Sequence, residues 1–209
     1  MKTLAKILSV GAIVSGSLLT SSVASADVSY NVGFVSEYYY RGIYQKNASA
    51  SAGIDYEQSG FYAGAWTADV GDGLEVDGYL GYGGEVGDFS YGVGFTGYYY
   101  TGDFDETYEE VNLSAGYGPV SIGYSIGEWD GDGGTDYDFL EVSIDLGAGF
   151  YGLYGSFGDE FDGDYFEVGY GTTVSEIDLG VALIFPSDEL EGTDNAAGEG
   201  ITLSIGKSF

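Results

Sequence analysis

The chain has 209 residues, 34 of them Asp or Glu against five Lys or Arg, for a formal net charge of −29 with no His and no Cys. Such a charge balance excludes nucleic acid as a partner, which needs a positive surface. The absence of Cys and His removes disulfides, thiolate metal sites, His metal ligands and His-dependent nucleophilic catalysis. With 17% aromatic residues and only two Pro, the chain is too aromatic for a disordered segment and well suited to paired strands.

The first element is an export signal. Lys2 and Lys6 precede the apolar run Ile7 to Thr20, and Ala24-Ser25-Ala26 has the small-x-small pattern of a cleavage site. A membrane anchor is the alternative, but the run falls short of the roughly 20 residues a spanning helix needs. The expected organisation is a signal peptide over 1–26 and one domain over 27–209.

Twelve alternating segments then follow, each with one bulky apolar side and one small or polar side, the period-2 signature of strands. They run over 28–41, 48–57, 61–70, 74–85, 89–101, 108–118, 120–129, 137–146, 150–157, 165–174, 177–185 and 201–209. In the first, Val28, Tyr30, Val32, Phe34, Tyr38 and Tyr40 share a face. In the third, Tyr62, Trp66, Ala68 and Val70 are assigned to the apolar side. The ninth is less regular, with Tyr151, Leu153 and Phe157 as its better apolar side.

The connections alternate in length. Short ones lie at 58–60, 86–88, around Pro119, at 147–149 and at 175–176. Those at 42–47, 102–107, 130–136, 159–164 and 186–200 are longer and mostly acidic; 71–73 is a brief exception. Short turns on one side and long loops on the other predict an all-β, transmembrane, antiparallel up-and-down barrel of about 12 strands, with periplasmic turns and external loops.

A soluble sandwich or lipocalin-like barrel also alternates, with its apolar face inward. Three features favour the inverse. Gly, Ser and Ala fill the smaller face together with charges. The apolar face carries charge only near strand ends, at Glu109, Glu128, Asp138 and Lys207. Aromatics gather at both strand ends, as in interfacial girdles: Tyr38, Tyr40, Tyr99, Tyr108, Trp129, Tyr137 and Phe166 at one, and Tyr62, Phe89, Tyr91, Tyr151 and Phe209 at the other. In hydrocarbon no strand edge can stay open, so the sheet must close.

The predicted lumen face carries Glu37, Arg41, Asp55, Asp69, Glu75, Asp77, Glu85, Glu110, Glu141, Asp145, Glu167 and Asp178. Arg41 is its one clear basic residue, and Asp69 is a candidate partner for it. A conducting lumen of this sign concentrates cations and repels anions; a lumen packed with polar side chains and no through path is the alternative. The stretch 130–141 places Asp130, Asp132, Asp136 and Glu141 at EF-hand spacing. Gly134 and Thr135 break that motif, leaving a solvated acidic loop as the preferred reading and no metal or other cofactor expected.

The end of the chain, ITLSIGKSF, resembles the C-terminal signal that outer-membrane proteins present to the barrel-assembly machinery, with Phe209 as its terminal aromatic; Lys207 departs from the usual apolar residue. The opening VSYNVGFVSEYYYRGIYQ, followed by GFYAGAWTADV, resembles the TorF-type porin family (Gcw_chp) of proteobacterial outer-membrane proteins. That resemblance implies a Gram-negative outer-membrane location, lipid and lipopolysaccharide as surroundings, and a pore for small solutes. The expected function is passive diffusion through a cation-favouring channel. A non-conducting structural or adhesion barrel acting through its acidic loops is the second reading. A hydrolase, which would need a His base, is the third and weakest.

Overall fold

The computed structural model describes residues 27–190 and 198–209; the predicted signal peptide lies outside them. Twelve strands form one closed antiparallel barrel, each paired with its neighbours in sequence and the first with the last. They are β1 (Asp27–Tyr40), β2 (Ile43–Gln58), β3 (Phe61–Gly71), β4 (Gly73–Val86), β5 (Phe89–Tyr100), β6 (Tyr108–Tyr117), β7 (Val120–Trp129), β8 (Thr135–Gly147), β9 (Phe150–Asp159), β10 (Asp164–Val174), β11 (Ile177–Pro186) and β12 (Gly200–Ser208). One short 3-10 turn, Gly131–Gly133, lies in the β7–β8 loop.

Closure is completed where β12 meets β1, with Asn31 opposite Ser208 and Val35 opposite Ser204. At the turn end, Phe209 and Tyr30 exchange backbone hydrogen bonds at 2.8 and 3.3 Å. Toward the loop end side chains extend the seam: the Leu203 N–H donates to Ser36 Oγ at 2.8 Å, and Thr202 Oγ1 donates to the Glu37 carbonyl at 3.0 Å.

The turn-end connections are tight. Ser59-Gly60, Ala148-Gly149 and Ser175-Glu176 all hold positive φ at both positions, which matches the right-handed twist of a two-residue hairpin. At the loop end the first connection is shorter than expected. The predicted loop 42–47 is the turn Arg41-Gly42, with Ile43, Tyr44, Lys46 and Asn47 already paired in β2. An irregularity opposite Tyr38 and Tyr39 and a left-handed Ala48 (φ 58°) let this hairpin bend.

The apolar side faces outward. Val32, Phe34, Leu80, Val93, Leu113, Ile122, Ile144, Val168, Leu183 and Leu203 all lie on the exposed wall, as does most of each strand's aliphatic series. A belt this continuous suits hydrocarbon, not water, and closure leaves no edge strand unpaired inside it. No described helix is long and apolar enough to cross a membrane.

Three expected faces are corrected. On β3, Trp66, Ala68 and Val70 are buried inside, packed with Tyr38, while Phe61 and Ala65 lie outside. On β9, Tyr151, Leu153 and Phe157 are likewise buried in the interior. Tyr38, Tyr40, Tyr62, Tyr108, Trp129 and Tyr137 also turn inward instead of joining a girdle: Tyr38 and Tyr40 meet interior side chains, the Tyr62 ring lies over Gly81 and Gly94, and Tyr108 and Trp129 pack against the interior cluster that holds Tyr137. Both sides of β3 and β9 are apolar, so alternation carries no sign there. A twelve-strand cylinder is wide enough to take these rings, and they pack inside it.

Candidate functional site

The interior differs between its two halves. At the turn end the inward Asn31, Asp55, Glu57 and Ser90 remain partly accessible, and Asp145 and Glu85 are exposed. In the loop half, rings and carboxylates pack together. Tyr39, Tyr137, Phe139, Leu153, Phe157, Tyr165, Ala182, Ile184 and Leu190 form one cluster; Tyr38, Trp66, Ala68 and Val70 form a second.

Between them stands a cross-lumen bridge. Arg41 occupies the tip of the β1–β2 hairpin with φ +49° and is 5% exposed. The adjacent Gly42 has φ +82°, and a Cβ there would fall 2.7 Å from the Tyr165 ring on β10, so only glycine lets the tip fold this far inward. Arg41 Nη2 donates to both carboxylate oxygens of Glu110 on β6, at 2.9 Å each, and to Ser125 Oγ on β7 at 3.2 Å. Its guanidinium carbon lies 4.3 Å from the Phe139 ring centre and 5.0 Å from that of Tyr40. The network continues along the wall: Asn112 Nδ2 donates to Ser125 Oγ at 3.0 Å, and Thr96 Oγ1 to Asn112 Oδ1 at 2.9 Å. One guanidinium thus ties the first hairpin to the facing wall.

Four carboxylates are buried in this half: Glu75, Asp77, Glu110 and Glu167. Glu75 accepts from Tyr38 at 2.7 Å and Tyr100 at 3.3 Å. Glu167 accepts from Tyr151 at 2.5 Å. Asp77 is 4% exposed, and its Oδ1 has no hydrogen-bond partner among the described residues. Nearer the turn end, Asp55 accepts from Asn31 at 3.2 Å and from the Tyr79 hydroxyl.

The other predicted lumen residues are dispersed. Glu37 is half-buried on β1, and Glu141 is half-buried on β8 within electrostatic range of Glu167 and Tyr165. Asp178 accepts from Thr173 at 2.6 Å near the turn end. Asp69 does not meet Arg41. The reversed face of β3 places it at the rim, where Lys46 reaches it at 2.7 Å. Phe209 is exposed, with Lys207 Nζ 5.2 Å from its ring centre and 3.2 Å from Glu176. Asp130 and Asp132 lie in the β7–β8 loop, Asp136 and Glu141 on β8. Among the described residues no three acidic side chains gather as a metal-binding group.

The sequence reading missed the interior rings and Ser125. A signal for the rings exists in the facing glycines. Cβ atoms at Gly64, Gly81, Gly127, Gly155 and Gly169 would fall 2.2–2.6 Å from Tyr79, Tyr62, Tyr137, Tyr165 and Tyr151 respectively, so each glycine seats a tyrosine ring.

A family model described as "Bacterial protein of unknown function (Gcw_chp)" matches residues 20–167. No curated protein matches the chain. Solved structures with a similar fold include OccK2 (OpdF) of Pseudomonas aeruginosa in complex with glucuronate (TM-score 0.43, 15% identity, 78% of this chain and 58% of that chain). OpdK of the same organism with vanillate gives a TM-score of 0.42 and 14% identity over 79% of this chain and 57% of that one. A BenF-like porin from Pseudomonas fluorescens Pf-5 gives 0.40 and 14% over 84% and 59%. The chain spans under two thirds of the length of each of these three.

Proposed function

The chain belongs to the Gcw_chp family of bacterial proteins, and from that premise we propose that it is an outer-membrane channel for passive diffusion of small solutes, favouring cations. The carrying observation is the imbalance of the enclosed charge: four buried carboxylates face one buried guanidinium, which Glu110 already engages. Lumenal carboxylates concentrate cations at the entrance and raise the barrier for anions. Export with removal of residues 1–26, recognition of Phe209 by the assembly machinery, and divalent bridging of the acidic loops to lipopolysaccharide belong to the same proposal.

The test is single-channel recording of the purified protein in planar bilayers under a KCl gradient. A reversal potential of the sign for potassium supports the reading; chloride preference or a silent bilayer overturns it. The second reading, a non-conducting structural or adhesion barrel, is favoured by the closure of the loop half by Arg41, Gly42 and the interior rings. A silent bilayer, together with loss of a surface interaction on deleting residues 101–107, supports that reading instead.

A further inference from the structure

We propose that Asp77 and its surroundings form a binding site for a small organic ammonium ion. The proposal deepens the cation-channel reading and rests on it for the route by which the ion arrives.

Asp77 sits on β4 with Trp66 of β3 directly opposite on one side and Tyr98 of β5 directly opposite on the other. Directly opposed side chains have Cβ atoms about 5 Å apart, so the carboxylate is flanked by two aromatic side chains. Tyr38 extends the aromatic wall, its ring centre 6.2 Å from that of Trp66. Tyr79 stands two residues along β4, its hydroxyl given to Asp55; Glu75 stands two residues the other way, accepting from Tyr38 and Tyr100. Asp77 Oδ1 is a buried carboxylate oxygen with no partner among the described residues, and the indole Nε1 of Trp66 opposite it is likewise unpartnered.

What Asp77 lacks is a positive partner, and the described residues have none to give. The three basic residues in 27–209 are engaged elsewhere: Arg41 with Glu110, Lys46 with Asp69, and Lys207 with Glu176. A buried carboxylate without a counter-charge is costly, and aromatic faces beside it are attractive to a soft monovalent cation. Among the described residues no three acidic side chains gather as a divalent metal would require. A methylammonium-sized ion satisfies both chemistries: its N–H groups donate to Asp77 and its methyl group lies against the rings. On the turn-end side of Asp77, Asp55 and Glu57 are partly accessible and Glu85 is exposed.

The probe is methylammonium chloride, titrated against NaCl at constant ionic strength into the refolded barrel carrying Trp129→Phe, in which Trp66 is the sole tryptophan. The expected result is a saturable change in Trp66 emission that weakens by about tenfold or more in Asp77→Asn and persists in the loop variant Asp162→Asn. A response that is absent, or equal in Asp77→Asn, overturns the site. If Asp77→Asn does not assemble, Glu75→Gln takes its place with the same expected loss, and an undiminished response overturns the proposal. A cation-selective conductance with no Trp66 response sinks the site and leaves the channel. A silent or anion-selective bilayer with the Trp66 response intact sinks the channel and leaves the site.

Discussion

Arg41 and Glu110 meet inside the barrel at 2.9 Å, although 69 residues separate them in the chain and their strands are not neighbours in the sheet. Both side chains are almost wholly buried, with 6% and 0% exposure. Removing one member leaves the other as an uncompensated buried charge, which costs about 3–5 kcal/mol, whereas replacing both with apolar residues of similar volume is often neutral or better. Arg41→Ala is therefore expected to lower unfolding stability in lipid vesicles, measured by urea titration, by that amount. The paired change Arg41→Met with Glu110→Leu recovers most of it. If Arg41→Ala alone is silent, the bridge does not hold the hairpin in place.

The abundance of glycine and tyrosine has a common structural reason, visible at Gly169. A Cβ there would lie 2.2 Å from Tyr151 Cζ, and Tyr151 in turn donates to Glu167. Gly169→Ala must displace the ring or the strand, an overpacking cost of about 1–3 kcal/mol. The same change in a Tyr151→Ala background is expected to cost much less, since coupling between touching residues appears as non-additivity. Equal costs in the two backgrounds would show that the strand, not the ring, sets the penalty.

The cylinder was legible in the sequence because alternation gives strand extents directly: β7 spans the same residues in both readings, and most other ends move by one or two. Glu75, Asp77, Glu110 and Glu167 stand on strands whose other side is bulky and apolar, so their inward position follows from parity. Where both sides are apolar, as in Phe61 to Val70 and Phe150 to Phe157, parity has no sign, and the faces depend on lumen volume. Asp69 was misplaced for that reason. The partner of Arg41 was unreadable for a different one: a hairpin folded into the lumen meets residues across the barrel, and no local pattern encodes that distance.

Lys46 and Asp69 provide the contrast to the buried bridge. Their contact is shorter, 2.7 Å, but the side chains are 22% and 42% exposed. Solvent and salt screen such a pair, and its removal costs about 0–1 kcal/mol. Asp69→Asn is expected to fall in that range and to lose its effect at high salt, in the same urea assay where Arg41→Ala costs several times more. A loss comparable to that of Arg41→Ala would mean that the rim pair, not the cross-lumen bridge, organises the first hairpin.

The outward belt gives the sharpest test of which solvent surrounds the barrel. Leu113 and Tyr117 both point outward from β6, 45% and 68% exposed, four residues apart. At the strand rise of about 3.4 Å per residue they differ by roughly 14 Å in position along the strand. Leu113 is in the middle of its strand and Tyr117 at the turn end, so hydrocarbon would treat them differently. A basic residue costs about 2–4 kcal/mol at the bilayer midplane and about 0–1 near the interface. Leu113→Arg should therefore be several times more destabilising than Tyr117→Arg in vesicles. In water the two exposed positions would accept arginine almost equally, so equal small effects would place that wall outside a bilayer.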